Sequence, residues 1–258
     1  VFRFLLQSGD PKAIEAVLKT CRHMMDGGIY DQVMGGFHRY AVDREWLVPH
    51  FEKMLYDQAQ LMELYLDAWQ MTGEEKFREV VEGIADYVLR ELTHPEGGFY
   101  CAQDAQSEGK EGKCFCWTEK ELVALLTPEE MKVAREVLGV SEKGNFIDQS
   151  DPEPLPNQNI LSFKTPRKNL SSSDKNLVAG IFKKLAVVRG KRVPPATDDK
   201  ILASWNGLMI GAMARTGRVL HEPKYLKAAR KAHDFIEGKF WDAKSKRLAH
   251  RWREGDRD

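Results

Sequence analysis

Apolar side chains recur at three- and four-residue spacing along most of the chain, which predicts a protein built from helices. Asp10-Pro11 opens a first helix that runs to about Asp26, where Gly27-Gly28 closes it. The stretch from about Glu52 to Met71 is apolar almost all round, through Met54, Leu55, Leu61, Met62, Leu64, Leu66 and Trp69, so it is buried on most sides. After a turn at Thr72-Gly73, a helix from Glu74 to Leu92 gathers Phe77, Val80, Val81, Ile84, Tyr87 and Val88 on one stripe and is peripheral. The pair returns as a buried helix from Lys200 to Val219 and an amphipathic helix from Lys224 to Phe240. At an offset of 148 residues, Glu74-Glu75-Lys76-Phe77 falls on Glu222-Pro223-Lys224-Tyr225, Asp86-Tyr87-Val88 on Asp234-Phe235-Ile236, His50 on Asp198 and Glu52 on Lys200. This is a repeated unit of buried helix, short turn and outer helix.

Between the copies, Gly97 to Tyr100 and Lys113 to Trp117 have the pattern of short strands, and Thr118 to Leu126 and Pro128 to Leu138 of short helices. A Pro-rich loop over 144–170 follows, then a helix from Ser173 to Arg189. Turns from buried to outer helices are short, whereas returns from outer to buried helices are long. Every long loop therefore lies above the N-termini of the buried helices, which point the same way. The expected fold is all-α, a partial α/α toroid with a small irregular or β insertion near 97–118. Loops gathered at one face of such a scaffold are where a site is built.

Composition narrows the function classes. The 258 residues carry 39 basic and 39 acidic side chains, which disfavours a nucleic-acid binder. One local exception, Lys164 to Arg192, sets nine Lys/Arg against Asp174 alone and reads as a solvated helix and loop. There is no apolar run long enough for a membrane span. Cys21, Cys101, Cys114 and Cys116 form no C-x-x-C pair, so reduced thiols in a cytoplasmic protein are expected, with no metal site and no cofactor. The chain begins without Met and stops at Gly255-Asp256-Arg257-Asp258, and is expected to be an excerpt of a longer protein.

The chemistry concentrates in three segments. The first runs through His38, Arg39, Tyr40, Trp46, His50, Glu52 and Asp57, a density of aromatic faces, imidazoles and carboxylates that suits a sugar. Its end lies at a helix start, where backbone N–H groups favour oxyanions. The second carries Asp104, with Glu108 nearby; Lys110-Glu111-Gly112-Lys113 beside it reads as a turn with solvated charges. The third carries Asp198, Asp199 and Lys200, followed by Trp205 and Asn206. His38, His50, Glu52, Asp104 and Asp199 are the candidate acid and base groups, and Arg39, Tyr40, Trp46, Asp57, Trp205 and Asn206 the candidate substrate-binding groups. Phosphate-loop, dinucleotide and nucleophile-elbow signatures are absent.

These residues carry a resemblance. Gly27 to Gln32, Gly35-Gly36-Phe37-His38-Arg39-Tyr40, Val48-Pro49-His50-Phe51-Glu52-Lys53-Met54-Leu55-Tyr56-Asp57, Gly98-Phe99-Tyr100 with Asp104-Ala105, and Asp198-Asp199-Lys200-Ile201-Leu202 with Ser204-Trp205-Asn206-Gly207-Leu208 resemble the spermatogenesis-associated protein 20 family. The resemblance spans essentially the whole chain. It implies a thioredoxin-like domain, absent here, followed by a six-hairpin toroid similar to those of N-acylglucosamine 2-epimerases and glycosidases. Residues 1–258 then form an incomplete toroid domain, with about seven or eight helices where a closed ring needs twelve. The chain departs from the family at Gln106, where Asp is usual, and at Cys114 and Cys116, which interrupt an aromatic-rich strand. The resemblance bears on architecture, and the activity expected from the residues is that of a sugar epimerase or isomerase acting through His38 or His50 with Arg39 on the enolate oxygen. A glycoside hydrolase using Glu52 with Asp104 or Asp199 is the variant within that class. The expected partners are a small sugar or glycan and the thioredoxin-like domain of the full-length protein. A non-catalytic glycan- or protein-binding toroid serving that domain is the alternative.

Overall fold

The computed structural model describes residues 1–257 and is predominantly helical. Among the described residues, helix α1 (Phe2–Leu6) precedes α2 (Pro11–Asp26), whose first turn is capped by the Asp10 carboxylate accepting from Lys12 N–H. Short strands β1 (Tyr40–Ala41), β2 (Pro49–His50) and β3 (Lys53–Met54) lead into α3 (Leu55–Thr72), which ends on left-handed Gly73 and turns into α4 (Glu75–Glu91). An excursion follows: β4 (Ala102–Gln103), β5 (Gln106–Ser107), β6 (Lys110–Glu111), α5 (Glu119–Leu125), α6 (Pro128–Glu136) and α7 (Ser172–Arg189). Strands β7 (Thr197–Asp198) and β8 (Ile201–Leu202) then introduce α8 (Ala203–Val219) and α9 (Pro223–Phe240), and β9 to β12 lie between Trp241 and Arg257.

Helices α3 and α8 pack side by side and parallel. The rings of Tyr56 and Trp205 meet near their starts at 4.8 Å, and Arg215 near the end of α8 binds Glu63, Asp67 and Gln70 on the later turns of α3. Helices α4 and α9 cover their flanks, joined where Lys224 and the Tyr225 hydroxyl reach Asp86. The result is an arc of α/α hairpins, a sector of a toroid. Its core runs from Val17 and Leu18 through Leu55, Met62, Tyr65 and Phe77 to Met209, Met213 and Tyr225.

The two hairpins repeat in detail, with α3 and α8, α4 and α9, and β3 and β8 each starting 148 residues apart. Each inner helix is clamped by a buried amide at the same place in its second turn. Gln58 accepts from Phe37 N–H and donates to Phe37 O, and Asn206 does the same for Phe99. Both clamped segments follow a Gly-Gly pair. At Gly36, φ is +81° and a Cβ would come 2.7 Å from the Tyr87 ring, so only glycine fits.

The inner helices start three residues later than their apolar patterns predict. Lys53–Met54 pairs with β4, and β4 with β7, so residues 52–54 are extended and not helical. Ile201–Leu202 is likewise taken up by pairing with β11 (Arg251–Arg253). The expected strands at 97–100 and 113–117 are single bridges, Thr93 to Phe99 and Trp117 to Asn159. Helices α5 to α7 have their own core of Trp117, Leu122, Met131, Leu138, Ile181 and Leu185. Capping boxes at Thr118/Glu121 and Thr127/Glu130 start α5 and α6. Among the described residues no helix is long and apolar enough to cross a membrane.

Candidate functional site

The short sheet β3–β4–β7 sits above the N-termini of α3 and α8 and has two faces. Strand alternation turns Lys53 and Gln103 one way and Met54 and Ala102 the other. Extending the register by one residue sets Asp104 opposite Glu52 on the Met54 face. This face meets the inner helix starts, where Met54, Cys101 and Ala102 pack with Tyr56, Leu202 and Trp205.

Around this mouth five candidate groups interlock. Arg39 is exposed, and its guanidinium is held by the Tyr56 hydroxyl and by the Glu52 carboxylate at 2.9 Å, contacts that raise its pKa. His50 lies beneath Tyr40, ring on ring at 5.1 Å, with Nε2 3.8 Å from Glu52 Oε2. Its Nδ1 is 2.8 Å from Glu111 Oε1, which also accepts from Phe51 N–H. A carboxylate can only accept here, so the neutral imidazole carries its proton on Nδ1 and leaves Nε2 free as a base. Asp57, in the first turn of α3, has a buried Oδ2 with no hydrogen-bond partner. Burial raises its carboxyl to about 7, Arg39 opposes that rise and Glu52 adds to it. Tyr56 and Trp205 form an aromatic wall, and the positive ends of two parallel helices converge on the same space.

Four sequence candidates lie elsewhere or serve the scaffold, and a fifth, Asp104, stands just past β4. His38 is 2% exposed, its Nδ1 bonded to Phe51 O at 2.9 Å and its ring edge-on to Phe51 and Phe115. Burial, with Lys53 nearby, pushes it down to about 3, so it is a neutral core imidazole without access to the mouth. Trp46 packs on the main core, where its carbonyl would lie 2.4 Å from a Cβ at Gly27. Asn206 is fully buried as the clamp on Phe99 and has no face toward solvent. Asp199 forms an ion pair with Arg253 at 2.7 Å, while neighbouring Asp198 pairs with Lys200 at 2.9 Å. Asp104 is exposed and accepts from Gln106 N–H, with its own N–H donating to Ala196 O.

Two features had no reading as site components in the sequence. Glu111 does not belong to a solvated turn but holds His50 across 61 residues. The basic run also sends Arg189 inward, where both nitrogens of its fork bind Asp31 at 2.8 and 2.6 Å. Lys53 joins the same carboxylate at 2.7 Å. Burial alone would raise Asp31, but Arg189 and then Lys53 hold it well below the usual carboxylate range. Among the described residues no group of three His, Cys, Asp or Glu side chains has an arrangement that could hold a metal ion.

No family model matches the chain. Spermatogenesis-associated protein 20 of Homo sapiens is 39% identical over 268 residues, an overlap covering 95% of this chain and 34% of the relative. The Mus musculus protein of the same name gives the same identity and coverage. Among solved structures, cellobiose 2-epimerase from Spirochaeta thermophila aligns with 97% of this chain and 59% of its own, at 15% identity and a TM-score of 0.34. The chain spans about a third of the length of the curated relatives it matches. Over that portion, it belongs to the spermatogenesis-associated protein 20 family.

Proposed function

We propose that the mouth above α3 and α8 binds a small sugar and moves a proton next to its carbonyl, as an epimerase or isomerase does. The observation that carries this reading is Asp57, a carboxyl raised to about 7 with a buried, unpartnered oxygen, placed beside the exposed guanidinium of Arg39. An acid poised near neutrality next to a fixed cation is what proton exchange through an enolate requires. His50 Nε2 takes the proton from the carbon beside the carbonyl, and the electron pair of that C–H bond moves into the carbonyl as an enolate. Arg39 and the two helix ends hold the oxyanion. Asp57 returns a proton to the same carbon from the opposite face, or to the neighbouring one, giving epimer or isomer. Tyr40, Tyr56 and Trp205 supply faces for the C–H side of a sugar ring, and Glu52 and Asp104 are left for its hydroxyls. Glu111 is a positioning residue that sets the His50 tautomer.

The test is solvent exchange. Open-chain-competent aldoses and N-acyl sugars incubated with the protein in deuterium oxide should gain deuterium at the carbon next to the carbonyl. Asp57→Asn and His50→Gln should each abolish the gain in protein that remains folded. Absence of incorporation across such a panel refutes the reading.

A further inference from the structure

A second cavity lies on the opposite face of the same sheet, reached by Lys53 and Gln103. It measures about 210 Å³ and is walled by Lys53, Tyr87, Arg90, Gln103, Arg189 and Arg192. Its charge is lopsided: of the lining side chains four are cations, and the only carboxylates are Asp31 and Glu91. Both oxygens of Asp31 are occupied by Arg189 and Lys53, which closes it to a visitor, and Glu91 gives one oxygen to Arg90 Nε.

Donors remain. Arg189 uses one N–H of each terminal nitrogen on Asp31 and keeps the other. Arg90 commits Nε to Glu91 and Nη2 to Met34 O, leaving Nη1 without a partner. Gln103 is only 5% exposed, yet just its oxygen is engaged, by the Tyr87 hydroxyl at 3.3 Å; its amide nitrogen has no protein partner. That nitrogen is not sealed from solvent, so it is free to donate to an acceptor in the cavity.

We propose that this cavity is an anion site for a phosphoryl group carried by a small molecule. Arg192 is paired with Glu121 at 3.1 Å, so one net positive charge remains. The free N–H donors of Arg90, Arg189 and Gln103 suit the three oxygens of a phosphate monoester better than the two of a carboxylate. Arginine forks and an amide suit several oxygens held at once. The volume admits a phosphate and a few further atoms. This site shares no side chain with the mouth above α3 and α8, so it stands apart from the proton-exchange reading.

Inorganic phosphate is the probe, titrated calorimetrically into the 258-residue chain at low ionic strength and pH 8. Saturable binding tighter than about 1 mM is expected, with acetate at least about tenfold weaker. Arg90→Gln, on the exposed rim, keeps the fold and should weaken phosphate about five- to tenfold; Gln103→Leu should weaken it several-fold. Lys175→Gln, on the outer surface of α7, should leave it unchanged. Three results overturn the proposal: no saturation by about 10 mM phosphate, acetate binding as tightly as phosphate, or Arg90→Gln binding like the parent. Arg90→Gln decides the matter even if Gln103→Leu fails to fold.

Discussion

Replacing Asp57 with Asn should remove the proposed exchange and stabilise the protein, the second effect growing as pH rises from about 4, where the unfolded carboxyl ionises, to about 7. In the fold its carboxyl rises from 3.8 to about 7 because burial opposes ionisation and Glu52 adds repulsion that Arg39 only partly offsets. A group that binds its proton more tightly when folded favours folding while protonated. That stability is complete below about pH 4, declines as pH rises and is gone above about pH 7. At 1.36 kcal/mol per decade the bare cost above pH 7 is about 4 kcal/mol, and partial solvation of the side chain brings it to about 1–2 kcal/mol. Asn keeps the shape and has no charge to desolvate. The variant should therefore be more stable than the parent by about 1–2 kcal/mol at pH 8, falling to roughly a third of that at pH 5. Urea unfolding of both proteins at pH 5, 6, 7 and 8 measures this difference directly. A gain that does not change with pH, or a variant less stable at pH 8, refutes the argument.

Further consequences follow from the buried polar groups. Lys53→Met strips one partner from Asp31 while Arg189 remains, and should cost about 2–4 kcal/mol in urea unfolding; parent-like stability would show that Arg189 suffices alone. Gln58→Leu and Asn206→Leu each leave a buried backbone pair unsatisfied and should cost about 2–3 kcal/mol, similar at both sites because the clamps are equivalent. Glu111→Gln should lower kcat for proton exchange about 10- to 100-fold with KM little altered, since it acts on the imidazole and not on the substrate. Cys21, Cys101, Cys114 and Cys116 are free and buried, so a thiol reagent should label them at the rate of unfolding; fast labelling of the native protein would contradict their burial.

The long helices α2, α3, α4, α7, α8 and α9 were readable because each carries several turns of one period, and the repeat because α3/α4 and α8/α9 keep both their spacing and their apolar stripes; the five-residue α1 was not readable. Strands of two residues are shorter than any period and left no trace; Lys53-Met54 even mimics the start of a helix. Partnerships over long separations were equally silent, as with His50–Glu111 across 61 residues and Asp31–Arg189 across 158. His38 and Asn206 attracted attention as polar residues in rich segments, but burial turned both into scaffold. One signal could have unmasked Asn206: Gln58 stands 148 residues earlier, and each amide serves a Gly-Gly-Phe segment. His50, Glu52, Arg39 and Asp57 were legible as a group because they share one loop and the helix it enters.

The paired clamps have a consequence for the mouth itself. By gripping a backbone from the second turn, Gln58 and Asn206 lock the rotational phase of α3 and α8 about their own axes. The directions taken by Tyr56, Asp57 and Trp205 are thereby inherited from two amides no substrate can touch. Loosening either amide would blur the aim of the opening while leaving every residue in it intact.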